Sequence, residues 1–141
     1  MKIKFLKKDI VDMTNEKDII VEFEKCEIGK LILSSCCTKL FINDSIVKIL
    51  VLNTTIIDLN CDDCGIEEII ANEPITNMQF MHIRDNKLTK LDIQFLCIPL
   101  IMDVANNNIK SVIHKIPFNW DLDMDGNPIV DMLKPYEYIQ Y

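Results

Sequence analysis

The sequence predicts a repeat solenoid that is mainly β, and three observations predict it. An apolar-x-apolar pair recurs along the chain, with a small or polar residue three positions later and apolar residues two and five positions beyond that. The small or polar slot falls at 8, 26, 45, 64, 86, 107 and 127, in steps of 18, 19, 19, 22, 21 and 20 residues. The chain is 49% hydrophobic yet holds only 3 Gly and 5 Pro in 141 residues, enough for a core and too few to punctuate many hairpins. A period near twenty signals coils that stack, because one coil cannot bury its apolar face alone. The whole length, 1–141, reads as one domain.

Taken in order, the first copy (Ile3, Phe5, Lys8, Ile10, Met13) is degenerate and reads as an amino-terminal cap over 1–18. Val21, Phe23, Cys26, Ile28 and Leu31 make the second copy. Leu40, Ile42, Ser45, Val47 and Leu50 make the third, with Ser in the slot. Leu59, Cys61, Cys64, Ile66 and Ile69 follow. The clearest stretch carries Met78, Met81, Ile83, Asn86, Leu88 and Leu91. Met102, Val104, Asn107, Ile109 and Val112 come next, then Leu122, Met124, Asn127, Ile129 and Met132. Each apolar-x-apolar pair predicts a short strand whose alternate side chains enter the coil, with successive strands parallel. The slot residue sits in the bend, where its side chain satisfies backbone groups the turn leaves unpaired.

A second period runs through the first half, where Leu31/Leu33, Leu40/Ile42, Leu50/Leu52 and Leu59/Cys61 recur every nine or ten residues. It predicts a second strand on the far side of each coil, since a coil of about 19 residues leaves little room for a helix. In the second half Pro74, Pro99 and Pro117 close longer connections, which predicts loops or 3₁₀ turns there.

These copies resemble the leucine-rich repeat, L-x-x-L-x-L-x-x-N/C-x-L, across nearly the whole chain. The end, NPIVDMLKPYEYIQY, is similar to the carboxy-terminal cap of intracellular leucine-rich-repeat proteins: Asn127, Pro128 and Ile129 precede Tyr136 or Tyr138. Glu137 or Ile139 stands where that family often has Arg. The resemblance implies about seven turns with a parallel sheet on a concave face, short strands, loops or 3₁₀ turns on the convex side, and a cap over 127–141. It also implies adaptor, regulatory-subunit or host-factor-binding roles.

Charge narrows the partners. Fifteen Lys+Arg against 22 Asp+Glu give −7, which disfavours nucleic acid, whose phosphates demand a cation surplus. The opening MKIKFLKK has no apolar run after it, so no signal peptide is expected, and no apolar stretch approaches the roughly 20 residues of a membrane span. A cytoplasmic protein without a membrane partner is the expectation. Cys26, Cys36, Cys37, Cys61, Cys64 and Cys97 then read as reduced, mostly buried thiols. Cys36 and Cys37 are adjacent on a turn, so one of them faces out and is oxidisable.

Three arrangements bear on chemistry. Cys61-Asp62-Asp63-Cys64 has C-x-x-C spacing, but a zinc site needs four convergent ligands, and the repeat places Cys61 inward and Cys64 in the slot. Asp121-x-Asp123-x-Asp125-Gly126 matches the opening of a calcium loop, yet its eighth and twelfth places hold Pro128 and Met132. His82 faces outward with Asp103 beside it on the next coil. No nucleophile or glycine-rich loop accompanies them, and His114 has no partner. A surface pair is the reading. The expectation is a non-enzymatic protein without a cofactor, and a calcium- or zinc-responsive module is the alternative.

The outward places carry Glu22, Glu24, Asp44, Asp58, Asp62, Asp63, Asp85, Asp103, Asp121, Asp123 and Asp125, half of the 22 carboxylates, against Lys25, Lys39 and Arg84. Phe41, Phe80 and Trp120 share the face, and exposed aromatics amid charge are typical interface anchors. The predicted partner-binding set is Glu22, Glu24, Phe41, Asp44, Asp62, Asp63, Phe80, His82, Arg84, Asp85, Asp103, Trp120 and Asp123. The partner expected is a protein with a basic or mixed patch around an apolar centre.

Overall fold

A computed structural model describes residues 1–92, 94, 96, 101–113 and 121–129. Its strands, in chain order, are β1 (Lys2–Lys4), β2 (Lys7–Asp12), β3 (Ile20–Glu24), β4 (Glu27–Ile32), β5 (Lys39–Asn43), β6 (Ile46–Leu52) and β7 (Asp58–Asn60). They continue as β8 (Glu68–Ala71), β9 (Phe80–His82), β10 (Lys90–Asp92), β11 (Ile101–Asp103), β12 (Ser111–Ile113) and β13 (Asp121–Asp123). Odd-numbered strands pair in the order β1-β3-β5-β7-β9-β11-β13, forming one seven-stranded sheet. Even-numbered strands form a four-stranded sheet, β2-β4-β6-β8, and a separate pair, β10-β12. All pairings are parallel. The chain is a parallel β-solenoid, with strand and turn rather than helix carrying the described residues.

Period-two alternation builds its walls. In β3 and β5 the buried places are Val21, Phe23, Leu40 and Ile42. Val21 stands in register with Leu40, Leu40 with Leu59, Leu59 with Met81, and Met81 with Met102. Leu31 and Leu50 line up in the second sheet and close the same core from the other side. The far-side strands expected in the first half are present as β4 and β6. In the second half β10 and β12 stand where only loops or 3₁₀ turns were expected. Parallel pairing between successive coils holds them as strands despite the longer connections.

The first coil is shifted by two residues from its predicted alignment. Ile3 pairs with Phe23, so Phe5 is not an inward residue but lies at the bend, 73% exposed. Leu6, not Lys8, occupies the slot: Glu27 N donates to Leu6 O as Ile46 N donates to Cys26 O. Lys8 lies opposite Ile28 and remains exposed. Counting back from Val21 took Ile3 as its equivalent, and the apolar side chain at Phe5 completed a pair that the backbone does not make.

Among the described residues, the bend that follows each strand of the seven-stranded sheet uses the same backbone. The residue before the slot has positive φ at Phe5, Lys25, Asp44, Asp63, Asp85, Asn106 and Gly126, between 47° and 75°. This left-handed region is costly for most side chains and least so for Gly, Asn and Asp. Asp, Asn or Gly fills the last five of those places. Lys25 Nζ lies 5.7 Å from the centre of the Phe5 ring, so the two bulkier exceptions contact each other across coils.

The slot side chain stitches each bend to the previous coil. Asn86 Oδ1 accepts from Cys64 N at 3.1 Å and Ile66 N at 2.8 Å, while its Nδ2 donates to the carbonyls of Cys61, Ile83 and Arg84. Asn107 accepts from Leu88 N and donates to Ile83, Val104 and Ala105. Asn127 accepts from Ile109 N and donates to Val104 and Met124. Ser45 Oγ accepts from Cys26 N and donates to Asn43 O. Cys64 Sγ contacts the carbonyls of Ile42 and Asp62.

A buried polar group stripped of its partner costs about 1–3 kcal/mol, and Asn107 serves one donor and three acceptors. Asn107→Ala should therefore destabilise the fold by about 3 kcal/mol, and Ser45→Ala by about 1 kcal/mol. Urea unfolding followed by circular dichroism measures both. Equal, small losses would remove the ladder from its central place.

Candidate functional site

The outward side of the seven-stranded sheet carries parallel rows of side chains. One row reads Ile20, Lys39, Asp58, Phe80, Ile101, Asp121. The next reads Lys2, Glu22, Phe41, Asn60, His82, Asp103, Asp123. A third begins Lys4, Glu24, Asn43 and continues with Asp62 and Arg84, whose backbone N donates to Asp62 Oδ1 at 2.8 Å. The rows bring Phe41, His82, Asp103 and Asp123 onto one face, as the sequence predicts. Trp120 lies outside the described residues, as do Cys97, His114 and most of the predicted carboxy-terminal cap.

Charge is distributed less evenly than the sequence suggests. Lys2 Nζ lies 3.2 Å from Glu22 and 3.1 Å from Glu24, and Lys4 Nζ lies 2.7 Å from Glu24. Assigning the first copy to a cap had left these two lysines out of the face. Lys39 reaches Asp58 at 3.8 Å. The first half of the face is thus largely neutralised from within. In the second half Arg84 is shared between Asp85 at 3.3 Å and Asp103 at 3.5 Å. Among the described residues Asp44, Asp62, Asp63, Asp121, Asp123 and Asp125 of this face have no ion-pair partner.

Several predicted site carboxylates already have local tasks. Asp44, Asp63 and Asp85 occupy left-handed bend positions at the margin of the strands, where Asp is favoured for its backbone tolerance. Asp85 Oδ1 also accepts from Asn106 Nδ2 at 3.0 Å. Asp103 Oδ1 and Asp123 Oδ1 accept from the backbone N of Ala105 and Asp125. Burial raises the Asp62 carboxyl above its ordinary range, opposed by the Arg84 N–H it accepts. Asp103 raises the Arg84 guanidinium further.

The apolar part of the face is larger than the aromatics alone. Phe80 is 38% exposed and its register partner Ile101 is 43% exposed, so two large apolar side chains stand side by side. Ile20, also exposed, lies farther along the same row. Phe41 is only half-buried in the neighbouring row. Sequence reasoning overlooked Ile20 and Ile101 because isoleucine in a strand reads as core. The signal that locates them is their place immediately before an inward residue, Val21 and Met102.

The cysteines divide by depth. Cys61 faces the core and burial pushes its thiol well up; burial pushes Cys64 up to about 12 and raises Cys37. Cys26, Cys37, Cys61 and Cys64 are buried, while Cys36 is exposed, the outward member of its pair. Among the described residues no group of three or more His, Cys, Asp or Glu side chains converges as metal ligands would. No described helix is long and apolar enough to cross a membrane. His82 and Asp103 are register partners, with Asn60 on the other flank of His82.

The fold and face define a parallel β-solenoid with a half-neutralised acidic sheet. No known family pattern, characterised protein or solved structure matches the chain.

Two outcomes check this description. Native labelling at neutral pH with a maleimide should modify Cys36 and spare Cys26, Cys37, Cys61 and Cys64 until denaturant is added, read by peptide mass spectrometry. Lys4 and Lys2 hold the Glu24 carboxyl down to about 2. Its contribution is therefore complete above the ordinary glutamate range and fades as pH falls toward about 2. Glu24→Gln should lower the melting temperature modestly at neutral pH and converge with the unaltered chain as pH falls toward about 2, which flattens the acid limb of the profile.

Proposed function

We propose that this chain is a non-catalytic interaction module of the leucine-rich-repeat type, binding a partner protein through the second half of the seven-stranded sheet. The observation that carries the reading is the exposed Phe80–Ile101 pair, flanked in its own row by Asp58 and Asp121 and beside Asp103 and Asp123. A contiguous apolar pair rimmed by charge suits a desolvated anchor with a polar surround. The partner is a protein with a basic or mixed patch around an apolar centre. Electrostatics bring the two together and the apolar contact holds them.

The leucine-rich-repeat assignment is supported by the Asn/Cys slot, the left-handed residue before it, and the buried side chain bonding to the previous coil. An intracellular place of work is part of the proposal, supported by Cys26, Cys36, Cys37, Cys61 and Cys64, all free thiols.

The test is affinity capture from a cell lysate at low and moderate salt, followed by titration of the purified partner. Phe80→Ala with Ile101→Ala should weaken the complex by roughly tenfold or more with little change in melting temperature. Added salt should slow association more than it speeds dissociation. Unaltered affinity in the double variant would remove this face from the interaction.

A further inference from the structure

The first coil leaves two strand edges and part of the core open. β1 and β2 end their sheets, so each pairs on one side only among the described residues. Ile3 faces Phe23 and Val11 faces Leu31, yet Ile3 and Val11 are half-buried where their partners are fully enclosed. Leu6, in the slot, is half-buried as well. The three most exposed large apolar side chains described, Phe5, Ile19 and Ile10, all lie within the first 20 residues. A stack of coils needs a polar outer face on its terminal unit, and this end does not present one.

The two edges differ in what they admit. β1 has 3 residues and β2 has 6. Lysine on a free edge ordinarily deters another strand, and β1 paired with its own copy would set Lys2 against Lys4. β2 reads Lys7-Lys8-Asp9-Ile10-Val11-Asp12, basic at one end and acidic at the other. Laid antiparallel on itself over its full length, it sets Lys7 against Asp12 at both ends, Lys8 against Val11, and Asp9 against Ile10. Laid parallel, it sets like charge on like. The side-chain faces agree with the antiparallel register. Lys7 and Asp12 lie opposite Glu27 and Ile32, whereas Lys8 and Val11 lie opposite the buried Ile28 and Leu31. Two residues separate Lys8 from Val11 because the strand crowds Gly29 there, where an added Cβ would come within 2.6 Å of Asp9 O. Asp9 and Asp12 have no ion-pair partner among the described residues.

We propose that two copies of this chain join head to head about a two-fold axis across β2, so that their four-stranded sheets become one continuous sheet. Such an interface is self-complementary, each copy offering the same patch to the other. Main-chain hydrogen bonds along the free edge supply affinity, and the charge order of β2 selects the partner. The two Ile10 side chains meet beside the axis, and the aliphatic stem of Lys8 from one copy covers Val11 of the other. Lys7 already lies 2.7 Å from Glu27 of its own chain, both exposed, so Asp12 of the second copy joins an existing pair. The interface lies at the amino-terminal end of the solenoid and stands independently of the function proposed for Phe80 and Ile101.

The test is sedimentation velocity of the full chain from about 1 µM to 1 mM, with amide hydrogen exchange followed residue by residue. A monomer–dimer equilibrium should appear, and exchange within Lys7–Asp12 should slow by about tenfold or more as the dimer forms. Lys7→Asp and Asp12→Lys should each weaken the dimer by about tenfold or more. The variant carrying both should recover it to within about threefold, because the pairs re-form with their signs exchanged. Asp12 also accepts from Thr14 N at 2.9 Å, so the melting temperature of each variant is followed. Asp12→Asn, which keeps an acceptor there, should weaken the dimer in the same direction. Phe80→Ala with Ile101→Ala should leave it unchanged.

A monomer at every concentration, or a dimer that both charge reversals leave intact, would overturn the proposal. So would a double variant as weak as the single ones, which would exclude the antiparallel register. Loss of the dimer in the Phe80/Ile101 variant would move the contact to the seven-stranded face and overturn it as well.

Discussion

The bend imposes the constraint on which the rest of the structure depends. Turning from one sheet to the next through a left-handed residue points several backbone N–H and C=O groups into the coil, away from water. Buried groups of that kind must find partners. A primary amide offers two donors and an acceptor that can bond twice, so one Asn side chain closes a bend almost alone. Asn86, Asn107 and Asn127 do this, each reaching back to the preceding coil. Serine and cysteine, at 45, 26 and 64, supply one polar atom each and meet fewer of those groups.

That constraint also accounts for part of the acidity. A left-handed position at every coil draws Asp and Asn for conformational reasons, and three of the carboxylates on the strand margin stand at such positions. Lys2, Lys4 and Lys39 answer the carboxylates of the first coils at ordinary ion-pair distances. Exposed pairs of this kind add little stability; their effect is to neutralise most of the first coils' carboxylates, Asp44 excepted, and leave most of the unpaired ones from Asp62 onward. Backbone geometry, intramolecular pairing and surface chemistry thus divide a charge that composition presents as one quantity.

Much of the fold was legible because the slot and the inward pairs are fixed by side-chain chemistry at a regular interval. Asn86, Asn107 and Asn127 repeat where only an amide serves well, and their flanking apolar residues leave one register. The first coil was misaligned because Phe5 is apolar yet exposed, and pattern alone does not separate a bend residue held by a neighbouring lysine from a core residue. The site was less legible for a related reason. Ile101 is as suitable for burial as Met102, and only the strand's orientation tells them apart. The lengthening to 22 residues was visible as a number, but its place was not: β8 keeps the 19-residue offset to β6, and the three extra residues fall in the connection between Ala71 and Phe80.

The ladder bonds run in one direction along the chain, and this bears on synthesis. Asn86 supplies partners to Cys61, Cys64 and Ile66, residues 20 to 25 positions earlier. A coil emerging from the ribosome therefore has its bend left open to water until about one more coil has followed it. At about 5–20 residues per second, that interval is on the order of one to four seconds. Growth proceeds like a zip whose every tooth is closed by the one behind it, so the newest coil on the nascent chain is always the least secure.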